Sequence, residues 1–310
     1  MRRFVLWMTG AVWLATAGCA GVGTVDDADP TDGELSPGIW DVEAGHQLSL
    51  DELAGELDDA RFVVVGESHG TPWHHEAQYS IFRALADRRS PVALGLEMIE
   101  YRFQEVVDAY LAGEIDEEQL LEDVEWDKRW GVDSAHYASM WRWAREHDHP
   151  VVALNARREL VSEVADVGID GLDDDGRRRL PAIEKDDAYR EYLRRIFGAH
   201  DTENEEDEGL ERFFEAQLVW DETMAQTAWE FVDGRSDVDQ MVILTGRGHM
   251  ERGFGIPPRL VRRGAKPASV VTVVPVSTRG ERSGAMEEYR RLEFLRDEKI
   301  ADYVWIEVPD

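Results

Sequence analysis

The run Arg61-Phe62-Val63-Val64-Val65-Gly66-Glu67-Ser68-His69-Gly70 decides how the rest of the chain is read. Residues 61–66 form a short apolar stretch, and residues 71–87 then switch to helical spacing, with Ala77, Ile81, Ala84 and Leu85 recurring on one face. A strand that is apolar on every residue is covered on both sides, and strand followed by amphipathic helix opens a βαβ unit. The pattern recurs outward from this point. Residues 91–98 (PVALGLEM), 150–155 (PVVALN), 240–245 (QMVILT), 268–274 and 303–308 read as further strands. A helical stretch carrying Phe103, Val106, Val107, Tyr110 and Leu111 follows the second of them, with helical excursions over 117–143 and 170–233. This predicts an α/β fold, a mostly parallel sheet with helices on both faces and helical insertions, in a single domain over 39–310. No repeat of solenoid length interrupts it.

Composition narrows the function classes. Against 34 basic residues stand 65 acidic ones, a net charge of −31 over 310 residues, which repels nucleic-acid phosphates and anionic lipid. Nucleic-acid binding is excluded on that ground. The basic residues are almost all arginine, with lysine only at Lys128, Lys185, Lys266 and Lys299; salt adaptation and a GC-rich genome both produce that usage. The acidic run over 201–208 (DTENEEDE) lacks the glycine turn and closing glutamate of a calcium loop and reads as a solvated loop.

The single cysteine, Cys19, rules out an intramolecular disulfide and a cysteine-cluster zinc site. Arg2 and Arg3 precede an apolar stretch over 4–17 that is shorter than the roughly 20 residues needed to span a bilayer, so residues 1–18 read as a signal peptide. Thr16-Ala17-Gly18-Cys19 resembles a bacterial lipobox, which implies lipidation of Cys19, contact with the membrane through that anchor alone, and, with Ala20 next, outer-membrane sorting in the cell envelope. Residues 19–38, rich in Gly, Asp, Thr and Pro, read as a flexible tether.

Chemistry gathers at the carboxyl ends of the apolar strands, where open α/β sheets keep their sites. The first strand runs into Glu67, Ser68 and His69 between two glycines; the second carries Glu97, a costly buried acid unless paired; the fourth ends Thr245-Gly246-Arg247-Gly248-His249, a second Gly-x-x-His turn. Glu67, His69, Glu97 and His249 are the candidate catalytic residues. They are also a candidate ligand set for Mn, Co or Zn with an open position for water, if their strands are neighbours. Without a metal, His69 can act as general base with Glu67 or Glu97 orienting it; a purely structural network is the plain alternative. Ser68 fits the letters of a nucleophile elbow, but no Asp-then-His pair follows beyond His249. His74 and His75 follow Pro72 at a helix start, so at least one is expected to face solvent. On a helix over 133–146, Tyr137, Met140, Trp141 and Ala144 share one face, the spacing of a core stripe.

The runs VVVGESHGTPWHHEAQ and GLEMIE, then Trp126-Asp127 with Trp130-Gly131, then Gln217-x-x-Trp220-Asp221-x-x-Met224-Ala225 and GRGHMERGFGIPPRL, occur in that order between Phe62 and Val274. Together they resemble the ChaN-like haem-binding lipoproteins, of a superfamily that also holds Tiki and TraB proteins and, more distantly, erythromycin esterases. The resemblance implies a tethered protein of haem or iron acquisition, holding haem or a related small molecule in an aromatic cleft or on a homodimer surface. Haem takes an axial ligand from Tyr, His, Cys or Met, and Tyr101 and Tyr137 are the first candidates. Trp126 and Trp130 are candidate cleft residues, Arg158 a candidate for a propionate or an acidic neighbour, and Gln217 and Asp221 a candidate cleft wall. The wider superfamily implies the alternative, a metal-dependent or general-base hydrolase at the Glu/His cluster.

Overall fold

The computed structural model describes residues 35–89, 91–197, 205–277 and 288–308. The signal peptide, Cys19 and nearly all of the tether lie outside the described residues. Where the tether was expected to continue to residue 38, Leu35 is already buried and its N–H donates to the Arg290 carbonyl.

Eight strands form one sheet: β1 (Gly38–Asp41), β2 (His46–Leu48), β3 (Phe62–Glu67), β4 (Ala93–Glu100), β5 (Val151–Asn155), β6 (Met241–Gly246), β7 (Val270–Val276) and β8 (Tyr303–Ile306). Their order is β2-β1-β8-β7-β3-β6-β4-β5. From β8 to β5 every pairing is parallel, and β1 and β2 close one edge antiparallel. The six strands read from sequence are all present. β1 and β2 are too short and too polar to show a period in the sequence.

The helices are α1 (Leu50–Glu56), α2 (Pro72–Arg88), α3 (Gln104–Leu111), α4 (Glu117–Asp123), α5 (Trp126–Arg129), α6 (Ala135–Glu146), α7 (Arg158–Gly171), α8 (Asp174–Arg178), α9 (Asp187–Phe197), α10 (Glu205–Asp233), α11 (Ile256–Arg263) and α12 (Leu292–Asp297). Among the described residues no helix is long and apolar enough to cross a membrane. The backbone from 205 to 208, expected as loop, is the first turn of α10; the run's other residues, 201–204, lie outside the described residues.

Alternation along each strand sorts side chains between two cores. Val63 and Val65 of β3, Leu94 and Leu96 of β4, and Val242 and Leu244 of β6 pack with Ile81 and Phe82 of α2 and Tyr137 and Trp141 of α6. Phe62, Val64, Ala93, Met241 and Ile243 face the other way, against Met224 and Ala228 of α10 and Ile256 and Leu260 of α11. Tyr137, Met140, Trp141 and Ala144 all lie in the first core.

The exposed edge of β5 is closed by a side chain. Gln104 donates from Nε2 to the Val151 carbonyl (2.9 Å) and accepts at Oε1 from the Ala153 N–H (2.8 Å), standing in for a further strand.

Candidate functional site

Strand order creates the site. β6 runs between β3 and β4, with Glu67 in register with Gly246, so the two acid-bearing strands flank the second Gly-x-x-His turn. The alternation that sorts the cores also sends the acids to opposite faces. Glu67 continues the row of Val63 and Val65 toward α2 and α6, whereas Glu97 continues the row of Ala93 toward α10.

On the first face, Glu67 is fully engaged. Its Oε1 takes His69 Nδ1 at 2.5 Å and the Tyr137 hydroxyl at 2.7 Å, and its Oε2 lies 2.9 Å from His75 Nδ1. Burial alone would raise this carboxyl, but the side-chain bonds and charges of His69 and His75 outweigh it and hold Glu67 down at about 2. His69 is raised in turn: burial opposes its charge, and the bond and charge of Glu67, with the charge of Glu97, overcome that. The same hydroxyl–carboxylate bond and the burial around it push the Tyr137 phenol far above its ordinary range.

On the second face, Glu97 Oε2 accepts from the Thr245 hydroxyl and the Gly246 N–H, both at 2.6 Å, and its Oε1 stands 3.5 Å from His249 Nε2. His249 Nδ1 lies 2.6 Å from Asp221 Oδ1, with the Gln217 amide 2.9 Å from the same nitrogen. Burial again opposes the cation, and the charges of Glu97 and Asp221 raise His249 to about 9. It is therefore an imidazolium at neutral pH.

The two halves meet over Gly246. A Cβ there would lie 3.1 Å from His69 Cε1 and Nε2 and 3.7 Å from His249 Cδ2, so the missing side chain lets both rings approach closely. The turn after His249 is equally constrained. Gly255 has φ +69° and a Cβ on it would fall 2.0 Å from the His249 carbonyl oxygen. Arg259 of α11, with no exposed surface, donates from Nη1 to the Gly255 carbonyl at 2.7 Å and lies 4.0 Å from Asp221 Oδ2.

The structure thus brings together Glu67, His69, Glu97 and His249, with Gln217 and Asp221. It does so as two carboxylate–imidazole pairs, because each Nδ1 is already turned to a carboxylate. Among the described residues no group of three or more His, Cys, Asp or Glu side chains is arranged to hold a metal ion, so the expected Mn, Co or Zn ligand set finds no support there. The Ser68 hydroxyl makes no hydrogen bond to any described residue, while the Ser68 N–H donates to His74 Nδ1 at 2.8 Å. His74 and His75 are both buried, contrary to the expectation that one faces solvent. His74 turns inward onto the Ser68 N–H and His75 onto Glu67, and burial with the nearby Arg247 charge depresses His74 to about 3.

The aromatic candidates separate by depth. Tyr137 and Trp126 are buried, the former bonded to Glu67 and the latter donating from Nε1 to the Val132 carbonyl at 2.7 Å. Neither presents a face or a free phenol to a ligand, which corrects their place as haem-contact residues. Trp130 stands edge-on to His69, ring centroids 4.6 Å apart, and is half-buried. Tyr101, in the turn directly after β4, is 39% exposed. Arg158 is exposed and donates to the Lys128 carbonyl.

Sequence reasoning missed Tyr189, which α9 inserts beside the His249 turn. Its hydroxyl donates to the Gly248 carbonyl at 3.3 Å, and its ring stacks on Phe254 at 5.1 Å. It missed Thr245 as the donor to Glu97 as well, although the residue stands directly before the turn glycine and so carried a positional signal.

By structure the chain is similar to ChaN of Campylobacter jejuni, described with cofacial haem binding, at a TM-score of 0.63 and 21% identity, covering 89% of this chain and 96% of that one. Weaker likenesses join an erythromycin esterase, EreC, in its open conformation (TM-score 0.46, 14% identity, 74% of each chain). Another is to RRSP, a MARTX toxin effector domain from Vibrio vulnificus (TM-score 0.41, 20% identity, 71% of this chain and 36% of that one). No curated protein matches the sequence. The model of a family of haem-binding uptake proteins, Tiki superfamily, ChaN, matches residues 53–260, and with two thirds of its length so matched the chain belongs to that family.

Proposed function

We propose that this protein binds haem at the carboxyl edge of its sheet, as an exported, lipid-anchored protein of haem or iron uptake. Family membership carries the reading, and the exposure of Tyr101 at the end of β4 supports its location. A phenolate there can ligate ferric iron; the indole of Trp130 offers an apolar edge and the Arg158 guanidinium a partner for a propionate. The test is titration of the full chain with haemin, followed by visible spectroscopy and light scattering. A saturable Soret shift that Tyr101→Phe abolishes and His69→Ala leaves intact supports the reading, and haemin-dependent doubling of mass supports a homodimer. Absence of any saturable shift overturns it. Anchoring is tested separately by labelled palmitate incorporation in a bacterial host, expected for the wild type and lost in Cys19→Ala.

A second reading, hydrolysis by acid–base catalysis without a metal, is favoured by the meeting of two carboxylate-backed imidazoles over Gly246. His69, with Nδ1 fixed by Glu67, takes a proton from water at Nε2, and the imidazolium of His249 gives one to the leaving group. Turnover within a panel of carboxylic and phosphoric esters that is lost in both His69→Ala and His249→Ala supports it. Turnover that survives either variant refutes it.

A further inference from the structure

A cavity of about 240 Å³ opens at the opposite, amino-terminal edge of the sheet, where β4 and β5 begin. Leu111, with two prolines, supplies an apolar wall; Arg145, Asp148, His149, Arg235 and Asp237 supply the polar ones. Arg235 and Asp237 are committed to each other through two hydrogen bonds of 3.1 and 2.6 Å. Arg145 and Asp148 are not. In a chain carrying 65 acids, Arg145 forms no ion pair among the described residues; its guanidinium rests 4.7 Å from the centroid of the Tyr110 ring. Asp148 pairs with no cation among the described residues either, and its backbone sits in the left-handed region at φ +59°, which turns the loop before β5 at the cavity rim. His149, also on the lining, is anchored: its Nδ1 lies 3.1 Å from both the Val92 N–H and the Val92 carbonyl, and its ring stacks on Trp143.

We propose that this cavity binds a small zwitterion of the α-amino-acid class, the carboxylate on Arg145, the ammonium on Asp148 and a short apolar side chain against Leu111. Charges of opposite sign on one cavity match a ligand that carries both. The volume is that of roughly eight waters, room enough for a molecule the size of leucine. The site is independent of the haem edge, which lies across the length of the sheet.

The probe is L-leucine, with isovalerate as the carboxylate without the ammonium and isoamylamine as the ammonium without the carboxylate, by equilibrium dialysis against the full chain. L-Leucine binds saturably and better than either analogue. Arg145→Gln weakens leucine and isovalerate tenfold or more, whereas Asp148→Asn weakens leucine and leaves isovalerate unchanged. Arg145→Lys, which keeps the charge, retains leucine binding, and a far-UV dichroism spectrum of Arg145→Gln that matches the wild type shows that its loss of binding is not loss of the fold. No saturable binding of leucine up to about 10 mM, binding unaffected by Arg145→Gln, or isovalerate bound as tightly as leucine would each overturn the proposal.

Discussion

Stability above neutral pH reports on His249 directly. Its proton affinity is raised from an ordinary 6.5 to about 9 by Glu97 and Asp221, against the opposition of burial. At about 1.4 kcal/mol for each tenfold in affinity, that rise is worth about 3 kcal/mol. Because the folded-state affinity is the higher one, the contribution is present in full below the unfolded value of 6.5 and is lost as pH climbs through about 9. Urea unfolding of the wild type and of His249→Gln, from about pH 6 to about pH 10, measures it. The glutamine keeps an amide next to Asp221 but cannot titrate. The gap between the two proteins narrows by about 3 kcal/mol across that range; His69, whose affinity Glu67 raises and the His249 charge lowers, contributes in both proteins, more strongly in the variant that lacks that opposing charge. Curves that fall in parallel at every pH would refute the ion-paired description of the second face.

On the acid limb the buried contribution is that of Glu67, whose folded-state value of about 2 stabilises the protein above an unfolded value near 4.5. About 3 kcal/mol is lost as pH falls through that window, and a wild-type acid transition no steeper than that of Glu67→Gln would contradict it. Tyr137→Phe keeps the ring packing and removes the hydroxyl bonded to Glu67; unfolding free energy drops by about 1.5–3 kcal/mol, and a drop within error of zero rules out that bond. Gly255→Ala places a methyl against the His249 carbonyl at a positive φ, so denaturation shows a loss above about 1 kcal/mol and the histidine resonance of His249 shifts. An unperturbed resonance in a fully stable variant would show the turn to be unconstrained.

Most of the architecture is visible in the sequence because its signals are local. Short uniformly apolar runs rich in β-branched residues, such as Val63-Val64-Val65, read as strands covered on both faces, and Pro72 and Pro257 mark helix starts. The ends of those strands named the chemistry, since an acid, an imidazole and a glycine at each turn are already legible as residue types. The α6 stripe was legible too, its period giving Tyr137, Met140, Trp141 and Ala144 one face. β1 and β2 were not, because strands of four and three residues hold too few side chains to show a period.

The sequence by itself therefore determined which elements form and which reactive side chains stand at their carboxyl ends, since both follow from near-neighbour spacing and backbone preference. Only the tertiary structure decided that β6 lies between β3 and β4, that Glu67 and Glu97 point to opposite faces, and that both imidazoles crowd one glycine. It also decided that Tyr137 is an anchor inside the core while Tyr101 stands in water. These depend on pairings between segments as far apart as Glu67 and Gly246, chosen by the burial of whole faces at once, and no local spacing encodes them.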